Sequence, residues 1–188
     1  MRREWPAITG NIPVRNLVFL DESSANTCLA QLRGWGRKGE RLRSFVPCGR
    51  WHTTTMICAI RCEGAFAPLL LDGAMNGETF LAYTEQILLP ALRPDDVVVM
   101  DNLSTHKTDL VQAAFKKNAI RLLYLPPYSP DLNPIENMWS KVKAAIRHQE
   151  ARNLNALMYA IAEALDSITK SDCVGYFKNA GYNVHELF

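Results

Sequence analysis

Two short apolar runs constrain this chain more than anything else in it. "LVFL" (17–20) and "VVVM" (97–100) carry no polar residue and no helical period, and each stops at an aspartate, Asp21 and Asp101. A strand that is apolar on both faces must be covered on both faces, as a central strand is in a sheet flanked by helices. Around these runs the other elements can be read. "TTTMICAI" is β-branched, Glu63-Gly64 turns it into "FAPLLLDG" as a hairpin, and "IRLLYL" is a last strand. From Asn76, residues Phe80, Leu81, Thr84, Ile87 and Leu88 take helical spacing up to Pro90, and Leu110, Val111, Ala114 and Phe115 mark another helix. Leu154, Leu157, Ile161, Leu165 and Ile168 predict one amphipathic helix, with Ser171 and Asp172 as caps of a short one after it. The order suits a mixed α/β sheet with helices on its faces. Residues 23–50 read as a long excursion, and no linker divides the chain.

Composition narrows the function classes. The 188 residues are 48% hydrophobic and 21% charged, an ordinary globular balance and not that of a disordered tail. No apolar run approaches the roughly 18 residues of a membrane span. The opening "MRREWPAITG" lacks the apolar stretch of a secretory signal. Five cysteines without a C-x-x-C pair fit free thiols in a reducing compartment, so the expectation is a cytosolic protein. The net charge of +2 is small, but six basic residues fall between Arg33 and Arg50 (Arg33, Arg37, Lys38, Arg41, Arg43, Arg50) against one acid, Glu40. They form either a solvated loop or a phosphate-contacting arm.

An aspartate at the end of a strand can be a plain turn residue, and Asp72 in "LLLDG" reads as one. Asp21 and Asp101 differ because they come as a pair. If their strands are parallel neighbours, two like charges meet at one sheet edge, and they coexist comfortably only with a cation between them. A third carboxylate follows "LPPYSPDLNPIENMW", in which Pro126, Pro127, Pro130 and Pro134 stiffen the approach to Glu136. Asn133, Pro134 and Glu136 have the spacing of a helix cap, a first helical proline and a capping box, which explains the helix start without any chemistry. It does not explain the rigid lead-in. On the helix itself Ile135, Trp139, Val142 and Ile146 make an apolar stripe, beside a polar stripe of Glu136, Ser140, Lys143 and Arg147. That stripe is either a solvated face or a phosphate-binding one.

Taken together, "FLDES", "VVVMDNLSTHK" and "LPPYSPDLNPIENMW", with 34 residues between Asp101 and Glu136, resemble the mariner superfamily of DDE transposases, in particular its bacterial insertion-sequence branch. "GWGRKGER", "APLLLDG" and "NGETFLAY" also look like family blocks, so the resemblance covers about residues 15–150. It implies a ribonuclease H-like fold, a mixed five-stranded sheet flanked by helices, with the first and fourth strands as central neighbours. It further implies a single catalytic domain over residues 1–188, with a clamp-like insertion at 23–50 and C-terminal helices at 151–188.

The implied chemistry is metal-dependent cleavage of DNA at transposon ends, then joining of the freed 3′-hydroxyls to target DNA. Asp21, Asp101 and Glu136 would hold two Mg²⁺ or Mn²⁺ ions, Asp21 bridging them. Asn102 and His106 belong to the "DNLSTHK" block as accessory residues. His106 would either hydrogen-bond a ligand carboxylate or a phosphate, or cap or pack beneath the next helix. Glu22 falls outside the expected site, because neighbouring strand residues face opposite sides of a sheet. Arg33, Arg37, Lys38, Arg41 and Arg43, with Lys143 and Arg147, would contact DNA, and a homodimer is implied. Only some fifteen residues precede the first strand, so the end-reading helix-turn-helix module is expected elsewhere, the chain being a truncated element, a fragment, or the downstream of two reading frames. The rival expectations are another ribonuclease H-like nuclease and a non-catalytic, DNA-binding relic.

Overall fold

The computed structural model describes residues 2–30, 34–43 and 52–187. Five strands form one mixed sheet: β1 (Leu17–Asn26), β2 (Thr53–Arg61), β3 (Gly64–Asp72), β4 (Val97–Met100) and β5 (Arg121–Tyr124), in the order β3-β2-β1-β4-β5. β2 is antiparallel to both β1 and β3, while β4 runs parallel to β1 and to β5. This is the ribonuclease H-like arrangement expected, with the two apolar runs side by side at the centre. Cys62 and Glu63 make the hairpin turn, and Asp72 ends β3 before Gly73, whose φ of +100° suits a glycine. Asp72 is thus the last residue of β3, where the sequence reading had a turn residue.

The alternation of side chains along β1 and β4 divides the core in two. Leu17, Phe19, Val97 and Val99 face one cluster, and Val18, Leu20, Val98 and Met100 face the other. The first cluster is closed by α1 (Trp5–Thr9), α5 (Pro134–Gln149), α6 (Leu154–Asp166) and α7 (Lys170–Asn179). α2 (Gly77–Tyr83) and α4 (Asp109–Lys117) close the second. Ile135, Trp139, Val142 and Ile146 of α5 are all buried, as their spacing predicts. Among the described residues no helix is long and apolar enough to cross a membrane.

Several boundaries differ from the sequence reading. β1 does not stop at Asp21 but continues to Asn26, because its polar second half pairs with β2 down to Thr53. The excursion therefore starts after Asn26 and not at residue 23. The helix begun by Asn76, whose side chain caps Thr79 N–H, runs past Pro90 through a π-helical turn (Thr84–Leu88) into α3 (Leu89–Ala91). Pro90 has no N–H to give the preceding turn, and a local widening accommodates it. α6 ends at Asp166, before Ile168, and α7 is capped by Thr169 with Asp172 as its capping-box partner, not by Ser171.

A buried ion pair pins the far side of the sheet. Arg61 of β2 reaches Asp96, just before β4, and its guanidinium lies over the Phe66 ring at 3.9 Å. Asp96 also accepts the Arg93 N–H at 2.8 Å. Removing one partner leaves the other charged and dry. Asp96→Ala should therefore cost about 3–5 kcal/mol in urea unfolding, whereas a change below 1 kcal/mol would mean that water reaches the pair.

Candidate active site

β1 and β4 pair in parallel, with Phe19 opposite Val99. Two residues further on, the same register brings Asp21 level with Asp101, at a strand spacing of about 4.8 Å. Asp21 has the parity of Leu17 and Phe19, so it faces the side covered by α5. Glu136 stands in the first turn of that helix. All three carboxylates line one cleft of about 490 Å³, together with Leu103, Tyr128 and Asn133. Asp21 is nearly buried, Asp101 half-buried and Glu136 exposed.

The lead-in to Glu136 is held from two sides. Tyr182, after α7, donates its hydroxyl to the Leu132 carbonyl at 2.8 Å and receives the Trp5 indole N–H at 2.9 Å. Its ring packs on Phe19 of β1, with centroids 5.1 Å apart. On the outer side Arg2 pairs with Asp131 and donates to Ser129 Oγ at 3.3 Å. The expected capping box does not form. Asn133 is buried, its side chain accepts nothing from the helix, and among the described residues its Oδ1 has no hydrogen-bond partner. Glu136 is free of that structural duty: its own N–H bonds the Asn133 backbone carbonyl at 3.2 Å, and its carboxylate faces the cleft.

His106 is completely buried and joins both halves of the alternatives expected for it. It packs beneath the site against Phe80, with ring centroids 4.3 Å apart, and bonds two carboxylates. Nδ1 lies 2.7 Å from Asp101 Oδ1, and Nε2 lies 3.2 Å from Glu22 Oε1. Glu22 does face away from Asp21, as the pleat demands, yet the imidazole links it to Asp101 from behind the sheet. Only the tertiary fold brings Glu22 to His106, which is 84 positions away. Asn102 is a bracket: its amide donates to the Leu125 carbonyl and accepts from Lys107 Nζ at 2.6 Å, so the end of β4 is tied to the proline loop. The Tyr124 hydroxyl completes the support by donating to the His106 carbonyl at 3.0 Å.

The basic residues lie elsewhere. Arg37, Lys38, Arg41 and Arg43 are exposed, while Arg33 and Arg50 fall outside the described residues. Lys143 and Arg147 are partly exposed on α5 and line no part of the cleft. At 1.5 Å per residue they stand about 10 and 16 Å along the helix from Glu136.

Electrostatics sets the three carboxylates apart. Burial, then repulsion from Glu136 and Asp101, pushes Asp21 up to about 7 against the help of a backbone hydrogen bond. Partial burial works to raise Asp101 as well, but hydrogen bonds from His106 and the Leu103 N–H hold it below the ordinary carboxylate value. Burial opposes the charge on His106, and its two carboxylate partners overcome this and push it up to about 9. Among the described residues no three His, Cys, Asp or Glu side chains are already drawn tightly around one point as a metal needs. The donor set still suits a hard divalent cation, because all three donors are carboxylates and the charge on the buried one is opposed by burial and by its two negative neighbours.

Without metal, folded Asp21 keeps its proton up to about pH 7, whereas the unfolded residue loses it near pH 4. The folded state binds the extra proton in that window. The stability contributed by this group is thus full below pH 4 and is lost as pH rises through 7. In EDTA, Asp21→Asn should match the wild type near pH 4 and exceed it near pH 8, by at most about 4 kcal/mol. Urea unfolding at the two pH values checks this, and an Asn variant weaker at pH 8 would contradict the repulsion.

Comparison with known proteins agrees with the geometry. Residues 16–158 match the DDE superfamily endonuclease family. The chain is 35% identical over 176 residues to the Caenorhabditis briggsae transposable element Tcb1 transposase, covering 88% of this chain and 61% of the relative. It is 32% identical to the Tcb2 transposase of the same organism over 167 residues, 83% of this chain and 61% of that one. The chain thus spans about three-fifths of the length of these relatives. Its fold resembles the Mos1 transposase paired-end complex with left transposon end, with a TM-score of 0.70 at 14% identity over 90% of this chain and 56% of that one. It also resembles the Mos1 transposase catalytic domain with Raltegravir and Mg, with a TM-score of 0.66 at 14% identity over 93% and 81%. The two apolar strands, their aspartates and the proline-led glutamate therefore belong to a member of the DDE superfamily endonuclease family.

Proposed function

We propose that this chain is the catalytic part of a DNA transposase, with Asp21, Asp101 and Glu136 as its metal-binding and catalytic carboxylates. The observation that carries the reading is their convergence on one cleft from β1, the end of β4 and the start of α5. Mg²⁺ or Mn²⁺, as two ions, would neutralise the site and make water or a hydroxyl a competent nucleophile. Mos1 mariner paired-end complexes with Mn and with Mg are among the similar structures, which supports that choice. Asp21 would hold metal from the buried end of the cleft. Asp101 presents one fixed face, because His106 and the Leu103 N–H occupy its Oδ1. Glu136, the most exposed of the three, meets the water that attacks. In the first step water attacks phosphorus in line and a strand leaves with a free 3′-hydroxyl. In the second, that hydroxyl attacks a phosphodiester of target DNA, forming a new phosphodiester bond as the target strand's own 3′-oxygen leaves as a free hydroxyl. Asn102 and His106 act as positioning residues.

The partners follow from the same reading. Arg33, Arg37, Lys38, Arg41 and Arg43 contact backbone phosphates from an arm between β1 and β2, and Lys143 and Arg147 extend the track along α5. A homodimer would place two clefts on two transposon ends. Placement in a bacterial insertion-sequence branch, acting on DNA in the cytosol, rests on the family blocks and the 34-residue spacing.

Nicking of supercoiled DNA tests the reading. The chain should nick in Mg²⁺ or Mn²⁺ and not in EDTA, and Asp101→Asn should abolish the activity. Glu136→Gln should fall to the metal-free level while stability moves by less than about 0.5 kcal/mol, since its side chain makes no structural hydrogen bond. A folded Gln variant with wild-type nicking would remove Glu136 from the site. Reversing Arg37 and Lys38 to Glu should weaken binding alike on every DNA sequence. It should flatten the slope of log K against log salt by about two. Unfolding with unchanged affinity would instead make that segment part of the core.

A further inference from the structure

Tyr128 is the least comfortable residue on the rim of the cleft. It is 98% exposed, and its φ of +52° puts a bulky side chain in the left-handed region. The loop does not leave it free to relax. Pro126 and Pro127 precede it, and Ser129, which follows, is buried and donates its hydroxyl to the Pro127 carbonyl at 3.1 Å. Pro130 then starts a 3₁₀ turn. The backbone is thus set so that the side chain stands exposed on the rim of the cleft. A strained, solvent-facing aromatic contributes nothing to the core, and such strain persists where a site uses it.

The neighbourhood says what the ring would meet. Tyr128 lines the cleft that holds Asp21, Asp101 and Glu136, and Leu103 lines it too. Leu103 is itself 47% exposed and is held in place by its N–H bond to Asp101. An acidic centre with an aromatic ring and a leucine on its rim offers apolar surface beside a metal-binding floor. When a phosphodiester lies on that floor, the nearest apolar surfaces of the same strand are the faces of the adjoining bases.

Building on the transposase reading, we propose that Tyr128, with Leu103, stacks on an unpaired base next to the scissile phosphate and so holds the DNA strand end in the cleft. Stacking on a tyrosine is tolerant of sequence, because every base has a π-face. The ring, and not the hydroxyl, carries the contact.

The test uses the whole chain with Ca²⁺ and a short duplex ending in an unpaired 3′-terminal 2-aminopurine, whose fluorescence falls on stacking. Wild type and Tyr128→Phe should both quench it. Tyr128→Ala should abolish the quenching and weaken binding of this end by about tenfold, with little change for a blunt duplex. Leu103→Ala should reduce the quenching in part. Tyr128→Asn, which tolerates the left-handed backbone, should lose the quenching and melt no lower than wild type. Full quenching by Tyr128→Ala, loss of it in Tyr128→Phe, or a lower melting temperature for Tyr128→Asn would overturn the assignment. If the wild type binds and nicks DNA while any of these occurs, the assignment alone falls. If the wild type binds no DNA, it falls together with the reading beneath it.

Discussion

The parallel pairing of β1 with β4 is the constraint on which the site depends. These strands are apolar on both faces, so each must lie inside the sheet, where burial on two sides stabilises it most. A slip of one residue would exchange every inward and outward side chain. Phe19 opposite Val99 thus determines that Asp21 and Asp101 stand level and that Asp21 faces α5. The charge problem this creates, a nearly buried carboxylate near two others, is a consequence of the packing and not a local accident.

The rest of the molecule keeps the third carboxylate within reach of the other two. Four prolines reduce the freedom of the segment before α5, but stiffness alone does not aim a loop. Aim comes from Tyr182, which ties the Leu132 carbonyl to the core beside Phe19, and from Trp5, which holds the Tyr182 hydroxyl. Residues near both ends of the chain thereby hold the approach to Glu136. Behind the sheet, His106 does comparable work for Asp101. It satisfies two carboxylates with one buried ring, and a charged imidazole between two anions is far more comfortable there than any of the three groups alone.

Local signals were readable where one residue's neighbours settle its state. The β2–β3 hairpin, whose turn lies at Cys62 and Glu63, one residue earlier than read, and the apolar stripe of α5 both follow from short-range pattern. Reading failed where a distant partner overrode the local preference. β1 outran its apolar stretch because β2 supplied a ladder for its polar half. The helix crossed Pro90 because a π turn absorbed the missing N–H. Asn133 has the spacing of a capping box, but it is buried and its side chain makes no cap hydrogen bond to the helix.

The sequence by itself determined which residues carry charge into the interior. Two apolar runs ending in aspartate, and a proline-stiffened approach to a glutamate, were legible because strand period and proline chemistry act over a few residues. The tertiary structure alone decided how those charges are distributed. Asp21 became the strained carboxylate because it is the one under α5, Asp101 the stabilised one because His106 lies behind it, and Glu22 a partner because the same ring reaches it. Such effects fall off within a few ångströms and depend on which groups exclude water, and sequence order does not specify distances of that kind.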